Sequence, residues 1–315
     1  MNQQYLYFLI APMKALFTLI VLLHSSCLFC QVTYQQVYVD YDSSWEYRNL
    51  KIIPIRAKGP GTLPVVSLSS AIKHGWVTIT ERGTASTENV HWLRVNNNSD
   101  KALFISSGEM ITGGRQDRIV SKDTILEPTG GDQYVPAMCV EEGRWSDKEK
   151  KFQYAGFTNP SLRKVIDQSK NQLLIWKEIY NQLEAAKLNN PTLAYSALRN
   201  DKKISAEAVS YFQYIMNRIN QTDSNMVGFI CVTGDKILGT DIYAASNIFY
   251  DEVPSLLAGY IESTILNGGA PKLADADVKI FADKILSDEL QQEEYCRKNG
   301  KLFKYKGRVI HVTAY

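Results

Sequence analysis

The stretch VGFICVTGDKILGTDIY at residues 227–243 decides the fold class, because it predicts two strands joined by a tight turn. Apolar residues dominate positions 227–232 and return at 237–238, after a Thr-Gly-Asp segment and Lys236. A glycine beside an aspartate in so short a connection is typical of a β-hairpin. The sequence therefore predicts an antiparallel hairpin in the C-terminal half of the chain.

Outward from this hairpin, strands and helices are grouped rather than alternating. Residues 31–145 carry short alternating apolar runs bounded by turn residues, which predict strands. After Pro160, apolar residues recur with a 3.6-residue period for about six turns, as far as Leu183, which predicts a helix. A second helix is predicted at 206–219, with Ser205 as its N-cap.

The C-terminal part is predicted to mix both kinds of element. Helices are predicted at 254–266 and 278–286, and a closing hairpin at 302–305 and 309–313. The expected class is α+β, with a strand-rich N-terminal half, central helices and mixed C-terminal elements. We expect one composite domain over residues 31–315, in which 160–222 is a candidate helical insert.

The first 30 residues have the composition of a secretory signal peptide. Lys14 is their only charged residue, and a nine-residue apolar run follows at 15–23, whereas a membrane-spanning helix needs about 20. Cleavage is predicted near Cys30, which would leave the protein periplasmic or extracellular. An uncleaved anchor is the alternative. A lipoprotein attached through Cys27 is a minor one, because His24 stands where an aliphatic residue is usual.

Composition of residues 31–315 narrows the function. With 34 basic and 33 acidic residues, the net charge is +1, which argues against bulk binding of nucleic acid or anionic membranes. Three cysteines at wide spacing allow one disulfide and one free thiol, but no disulfide scaffold. No histidine has metal-ligand spacing, so we predict no metal and no cofactor. We also expect no stable membrane span once the signal is removed.

The first motif that can carry chemistry is GEMITGGRQDR at residues 108–118. Gly113 and Gly114 allow the backbone to approach a ligand closely, and successive amides in such a turn can bind an anion. Arg115 and Arg118 can supply paired donors to phosphate or carboxylate, and Gln116 lies between them. The motif matches neither nucleotide-binding glycine pattern, so a nucleotide loop is not indicated.

The acids of this motif leave two interpretations open. Glu109 and Asp117 can hold the guanidinium groups in place or act as acid and base. The alternative is a tight structural hairpin whose arginines and acids pair with each other across the strands.

The second motif is CVEEGRW at residues 139–145. Cys139 would need a neighbouring base to act as a nucleophile, and no histidine lies near it in sequence. The alternative is a buried strand cysteine with Trp145 packed below it. Glu141 and Arg144 are the better candidates for a polar site.

The two glycine turns show a weak internal similarity. Residues 103–105 followed by GEMITG resemble 229–231 followed by GDKILG, which suggests a duplicated strand–turn–strand unit. Asp241 follows the second turn as Asp117 follows the first. If the duplication is real, the two acids are expected to face one cleft.

Taken together, residues 108–118, 139–145 and 227–243 resemble the ARG and rhodanese-phosphatase-superfamily-associated protein family, in which ARG stands for ADP-ribosylglycohydrolase. The likeness extends over most of residues 50–270. It implies an association with ADP-ribose or NAD metabolism without a defined activity. The positions that it singles out lie in the three motifs: Glu109, Gly113, Gly114, Arg115, Gln116, Asp117, Arg118, Cys139, Glu141, Trp145 and Asp241.

Three functions stay open on this evidence. The first is a module that binds a small phosphate- or carboxylate-bearing ligand, with ADP-ribose-like molecules among the candidates, clamped by Arg115 and Arg118 and stacked on Trp145. The second is a hydrolase that uses Glu109, Asp117 or Glu141. The third is an extracytoplasmic interaction or structural protein without a small-molecule site, whose protein partner the sequence does not identify.

Overall fold

The computed structural model describes residues 32–82, 90–146, 148–219 and 225–315. These ranges hold 16 strands and eight helices, and eleven of the first twelve elements are strands of the N-terminal half. The predicted α+β class is confirmed. The predicted signal peptide lies outside the described residues and stays a prediction.

The element bounds are as follows. The strands are β1 (Val37–Val39), β2 (Trp45–Tyr47), β3 (Leu50–Ala57), β4 (Val65–Ser67), β5 (Val77–Glu81), β6 (Trp92–Asn97), β7 (Ala102–Ile105), β8 (Glu109–Gly114), β9 (Arg118–Val120), β10 (Thr124–Leu126), β11 (Asp132–Cys139), β12 (Lys150–Phe157), β13 (Met226–Thr233), β14 (Lys236–Tyr243), β15 (Gly300–Tyr305) and β16 (Arg308–Ala314). The helices are α1 (Leu68–Lys73), α2 (Pro160–Ser169), α3 (Gln172–Ala185), α4 (Ser196–Asn200), α5 (Lys202–Met216), α6 (Ser246–Asn267), α7 (Asp275–Leu286) and α8 (Glu289–Asn299).

The strands form three sheets. The largest has the order β1-β3-β13-β14-β16-β15, with β2 paired to β3, and a six-stranded sheet has the order β12-β8-β9-β11-β6-β5. A small sheet, β10-β7-β4, contains the parallel pair β4–β7. The predicted hairpin is confirmed as β13–β14, and the predicted closing hairpin is confirmed as β15–β16.

Strand β13 is buried along its whole length because helices cover both faces of the large sheet. Phe229 and Cys231 pack into the core formed with α5 and α6. Ile230 and Val232 point to the opposite face, into the core formed with α7 and α8. A strand buried on both faces carries an almost continuous apolar run, and this explains the composition of residues 227–232.

The prediction of one long helix after Pro160 is wrong, because the segment forms two helices. Lys170 adopts a left-handed conformation with φ of 47°, which ends α2. Asn171 then caps α3 through hydrogen bonds from Leu173 N and Leu174 N. The apolar periodicity continues across the break because both helices pack on the same core, beside the six-stranded sheet.

The second predicted helix begins four residues earlier than expected. It spans Lys202–Met216, and Asp201 rather than Ser205 is its N-cap. Asp201 accepts hydrogen bonds from Lys203 N and Ile204 N, so the carboxylate satisfies two free amides of the first turn. Ser205 lies inside the helix.

Two predictions for the C-terminal helices are also wrong. Helix α6 begins at Ser246, so Pro254 lies in its interior rather than at its start. The helix tolerates the lost hydrogen bond because most of its length is buried against other elements. Helix α8 was not predicted, since only Gln292 and Cys296 of its residues are buried and its apolar pattern is weak.

The suggested duplication is wrong. Strands β13 and β14 pair directly, whereas β7 belongs to the small sheet and β8 to the six-stranded sheet. The glycines of the two segments therefore serve different connections. The candidate helical insert at 160–222 stays a prediction, although helices α2–α5 do lie within it.

The cysteines and the helices bear on two further expectations. Cys139, Cys231 and Cys296 are buried, and no disulfide joins these three residues to one another. Within the described ranges, no helix combines the length and the apolar character that a membrane crossing requires.

Candidate functional site

The Gly-Gly-Arg turn connects β8 to β9 at the edge of the strand pair. Gly113 and Gly114 have φ values of 114° and 51°, which glycine adopts without strain. A Cβ atom at Gly113 would lie only 2.5 Å from the Lys151 carbonyl oxygen. The glycine therefore permits the close approach of β8 to β12.

The two sequence motifs meet at this turn through Arg144. Its Nε donates to Glu141 Oε2 at 2.7 Å, and its Nη2 donates to Asp117 Oδ1 at 3.0 Å and to the Gly113 carbonyl at 2.9 Å. Asp117 Oδ2 also accepts a hydrogen bond from Ser196 Oγ at 3.0 Å. Asp117 of the first motif and Glu141 of the second thus bind the same arginine. This is a pairing of arginine with acids, as in the structural alternative for the first motif, but the arginine comes from the second motif.

The arginines of the first motif are engaged inside the protein. Arg118 is fully buried and donates to Glu81 Oε2 at 3.0 Å. Arg115 is 7% exposed, and its backbone amide donates to Glu81 Oε1 at 2.9 Å. Its guanidinium donates to the Ser146 carbonyl at 2.8 Å. The turn thus links Glu81 to the region of the second motif through hydrogen bonds. Ligand binding by this turn stays a prediction.

Among the remaining predicted residues, Gln116, Cys139 and Trp145 lie near the turn, and Glu109 lies away from it. Gln116 is buried and donates to the Glu142 carbonyl at 3.4 Å. Cys139 is a buried residue at the end of β11 that contacts the Arg118 guanidinium. Trp145 is 41% exposed, with its ring 5.9 Å from the Arg118 guanidinium carbon. Glu109 lies at the opposite end of β8 and is fully buried.

Asp241 belongs to a different group of residues from Asp117. It is fully buried and accepts hydrogen bonds from Arg163 Nη1 at 2.9 Å, Tyr260 Oη at 2.7 Å and Thr313 Oγ1 at 2.7 Å. Burial alone would raise the pKa of Asp241, but the Arg163 guanidinium and the His311 contact hold that pKa well below its usual range. Asp117 and Asp241 share no hydrogen-bond partner among the described residues.

From Asp241 a chain of polar side chains runs toward the surface. His311 Nε2 lies 3.1 Å from Asp241 Oδ1, and His311 Nδ1 lies 2.8 Å from Asp123 Oδ2. Asp123 Oδ1 in turn accepts a hydrogen bond from Lys301 Nζ at 2.7 Å. A carboxylate–imidazole–carboxylate–ammonium chain therefore connects the buried Arg163 to a surface pocket.

The surface pocket at the outer end of this chain has a volume of about 520 Å³ and is hereafter called the basic pocket. Asp123 and Lys301 lie in its wall, and Phe303 contributes an aromatic ring. The remaining charged groups of the lining are Lys122, Asp167, Lys170, Glu293, Arg297 and Lys304. Five cations and three carboxylates surround the cavity, so its local charge is positive although the whole chain is nearly neutral.

Three cations of the basic pocket are not neutralised by a neighbour. Lys301 pairs with Asp123, and Lys304 pairs with Glu289 and Glu293. Lys122, Lys170 and Arg297 are exposed, and within the described part of the chain none of them forms a salt bridge. These three side chains come from the β9–β10 connection, the end of α2 and α8, so the fold brings together charges that are distant in sequence.

Apart from Asp241, the residues of this site were not predicted from the sequence, because each is isolated in the chain. Arg163 and Asp241 are 78 residues apart, and Asp123 and His311 are 188 apart, so no local motif marks them. His311 and Thr313 are buried polar residues that alternate with apolar neighbours in β16, and this alternation was the one available signal. Among the described residues, no group of three or more His, Cys, Asp or Glu is arranged to hold a metal ion.

The fold and the site define an α+β protein with a buried charge network beneath a basic surface pocket. The chain belongs to the ARG and Rhodanese-Phosphatase-superfamily-associated Protein domain family, whose profile matches residues 38–315. The resemblance inferred from the motifs is confirmed and extends further along the chain than they indicated. Searches of curated proteins and of solved structures give no match.

Proposed function

We propose that the protein binds a small phosphate- or carboxylate-bearing ligand in the basic pocket. The observation that carries the proposal is the group of three cations, Lys122, Lys170 and Arg297, that surround the cavity without a salt-bridge partner among the described residues. An anion entering the pocket would meet these three cations against one carboxylate of the lining, Asp167, that forms no salt bridge among the described residues. We retain the class of ligand that the sequence predicted, and we place its binding site in the basic pocket instead of at the Gly-Gly-Arg turn.

The size of the pocket supports this proposal. Its volume of about 520 Å³ lies within the range of about 300–1,000 Å³ that is usual for small-molecule sites. Arginine and lysine together offer both a planar pair of donors and a compact charge, which suits phosphate and carboxylate oxygens. Phe303 in the lining offers an apolar surface for a ring attached to the anionic group.

The wall of the pocket is held rigidly, which lowers the cost of ordering it around a ligand. Lys301 Nζ donates to Asp123 Oδ1 at 2.7 Å and to the Ser107 carbonyl at 3.2 Å. Asp123 is itself fixed by the Ser107 amide at 2.6 Å and by His311. The chain behind the pocket is therefore best understood as a support that fixes Lys301, and the ligand is recognised by the outer cations.

The family name points to one ligand class to be tested first. ADP-ribose carries two phosphates, one adenine and two ribose rings, and ARG in the name of the family stands for ADP-ribosylglycohydrolase. We include ADP-ribose and inorganic pyrophosphate as probes of this class. The hydrolase interpretation stays a prediction, since Asp117 and Glu141 are both occupied with Arg144.

The double substitution Lys170→Ala and Arg297→Ala is expected to weaken binding of ADP-ribose or pyrophosphate about 100-fold or more. Each charge-assisted hydrogen bond that is lost contributes about 1.5–3 kcal/mol, which corresponds to at least about tenfold in Kd. Isothermal titration calorimetry measures the change, and the exposed Lys177→Ala on α3 is the matched control.

An unchanged Kd in this double variant would contradict the proposal. Loss of binding in Arg115→Ala alone, with its melting temperature preserved, would return the site to the Gly-Gly-Arg turn. Absence of binding of both probes at millimolar concentration would remove phosphate ligands of this class from consideration.

We propose further that the chain is exported and cleaved near Cys30. Lys14 and the apolar run at 15–23 support this proposal. Expression of the full sequence is expected to yield a mature protein that begins close to Gln31, as measured by the intact mass of the exported fraction. A chain that keeps its N-terminal residues and stays with the cell membrane would instead indicate an anchor.

A further inference from the structure

Two glutamates in the interior are not neutralised by any cation of the described chain. Glu109 begins β8, and Glu252 lies in α6; both are 0% exposed. Glu109 Oε2 accepts a hydrogen bond from Ser106 N at 2.7 Å. Both carboxyl oxygens of Glu252 have no hydrogen-bond partner among the described residues. Glu109 Oε1 makes no hydrogen bond of good geometry in this part of the chain, but the Tyr154 hydroxyl lies beside its carboxyl group.

Other polar atoms in the same region are also unsatisfied. The Ser106 and Tyr243 hydroxyls have no hydrogen-bond partner in the described chain. Tyr243 stacks on His311 with ring centroids 4.3 Å apart, so this region adjoins the chain behind the basic pocket. The titratable groups that face Glu109 or Glu252 are Asp123, Tyr154, Asp241, Tyr243, Asp251 and Lys301.

The charges of these neighbours do not compensate the two glutamates. Lys301 is already paired with Asp123, and Arg163 is already paired with Asp241. The remaining charged neighbours of Glu252 are acids. An isolated carboxylate in a protein interior is so costly that the group takes up a proton instead. Burial raises the pKa of Glu109 to about 8, and burial and the neighbouring Glu109 raise the pKa of Glu252.

We propose that Glu109 and Glu252 form a buried proton-binding site between β8 and α6. Both carboxyl groups are neutral while the protons are bound, and loss of the protons weakens the packing of α6. In the neutral form each carboxyl group can donate a hydrogen bond, and the unsatisfied hydroxyls of Ser106 and Tyr243 are available acceptors nearby. In the charged form two carboxylates repel each other in a medium of low dielectric constant. The site thus links the stability of the fold to pH.

The direction of this linkage follows from the raised pKa. The pKa of Glu109 is about 8 in the folded protein against an ordinary value of 4.5. The stabilisation that the bound proton gives is therefore complete below about pH 4.5 and is lost as the pH rises through about 8. Each proton linked to folding changes the unfolding equilibrium constant tenfold per pH unit within this window.

The test compares urea unfolding of the wild type, Glu109→Gln, Glu252→Gln and the double variant between pH 5 and 9. The exposed Glu184→Gln on α3 is the control. Glutamine mimics the protonated acid, so the wild type is expected to lose stability relative to the double variant by up to tenfold per pH unit in the unfolding constant for each of the two protons. The Glu184→Gln protein is expected to follow the wild type.

A second readout keeps the proposal testable if a variant does not fold. Infrared spectroscopy of the wild type at pH 7 is expected to show the carbonyl band of protonated carboxylic acids, which shrinks as the pH is raised to 9. Parallel pH curves for wild type and double variant would overturn the proposal, and so would absence of that band. A stoichiometric cation bound to the wild type and lost in Glu252→Gln would also overturn it, since a metal ion would then neutralise the pair.

Discussion

Replacing Arg163 with methionine is expected to lower the free energy of unfolding by about 3–5 kcal/mol, the cost of breaking a buried ion pair. Arg163 and Asp241 are both fully buried, and their side chains are joined by a hydrogen bond of 2.9 Å. Methionine fills much of the same space but leaves Asp241 without its cation. Because Asp241 also holds His311, the loss is expected to spread along the chain that fixes Lys301.

Urea unfolding at pH 7 measures this loss, and two variants control it. Lys164→Met changes an exposed side chain of the same helix and is expected to stay within about 0.5 kcal/mol of the wild type. Adding Asp241→Asn to Arg163→Met removes the uncompensated charge and is expected to restore part of the stability. A loss below about 1 kcal/mol in Arg163→Met would show that the pair is not structurally important.

Arg118→Met is expected to have an effect of the same size, about 3–5 kcal/mol, although Arg118 lies in a motif that suggested ligand binding. Its partner Glu81 is fully buried, and the two side chains are 3.0 Å apart. Glu81 Oε1 also receives the Arg115 amide, so an uncompensated Glu81 is expected to disturb the turn between β8 and β9. Differential scanning calorimetry measures the loss, which corresponds to about 10 °C in Tm.

The matched control for Arg118 is Arg94→Met in the same sheet. Arg94 and Asp132 form a salt bridge of 3.5 Å whose side chains are 42% and 49% exposed, and such pairs contribute at most about 1 kcal/mol. Equal losses in Arg94→Met and Arg118→Met would contradict the assignment of Arg118 to the buried network. A normal Tm in Arg118→Met together with lost binding of ADP-ribose would restore its predicted role in ligand recognition.

The parts of the fold that were predictable depend on contacts close in sequence. The β13–β14 and β15–β16 hairpins follow from apolar runs on either side of a turn residue, and both were found. The separation of β7 from β8 was not predictable. Only three residues lie between these strands, yet each joins a different sheet, and the strands that they pair with are distant in the chain. The break at Lys170 was hidden since the apolar period continues across it.

The same distinction applies to the site. The motifs singled out arginines and acids that are neighbours in the chain, and the structure joins the two motifs through Arg144. Glu81 was missed, although it holds both Arg115 and Arg118, because it lies 34 residues before the first of them. The three cations of the basic pocket that form no salt bridge among the described residues come from the β9–β10 connection, the end of α2 and α8, and only tertiary structure brings them together.

The most direct test of the central claim is a crystal structure of the protein with ADP-ribose or pyrophosphate bound at saturation. Binding in the basic pocket requires electron density for the phosphates there, between Lys170 and Arg297, with Lys301 and Asp123 still paired. Phosphate density at Arg115, beside the Gly-Gly-Arg turn, with the basic pocket empty would contradict it.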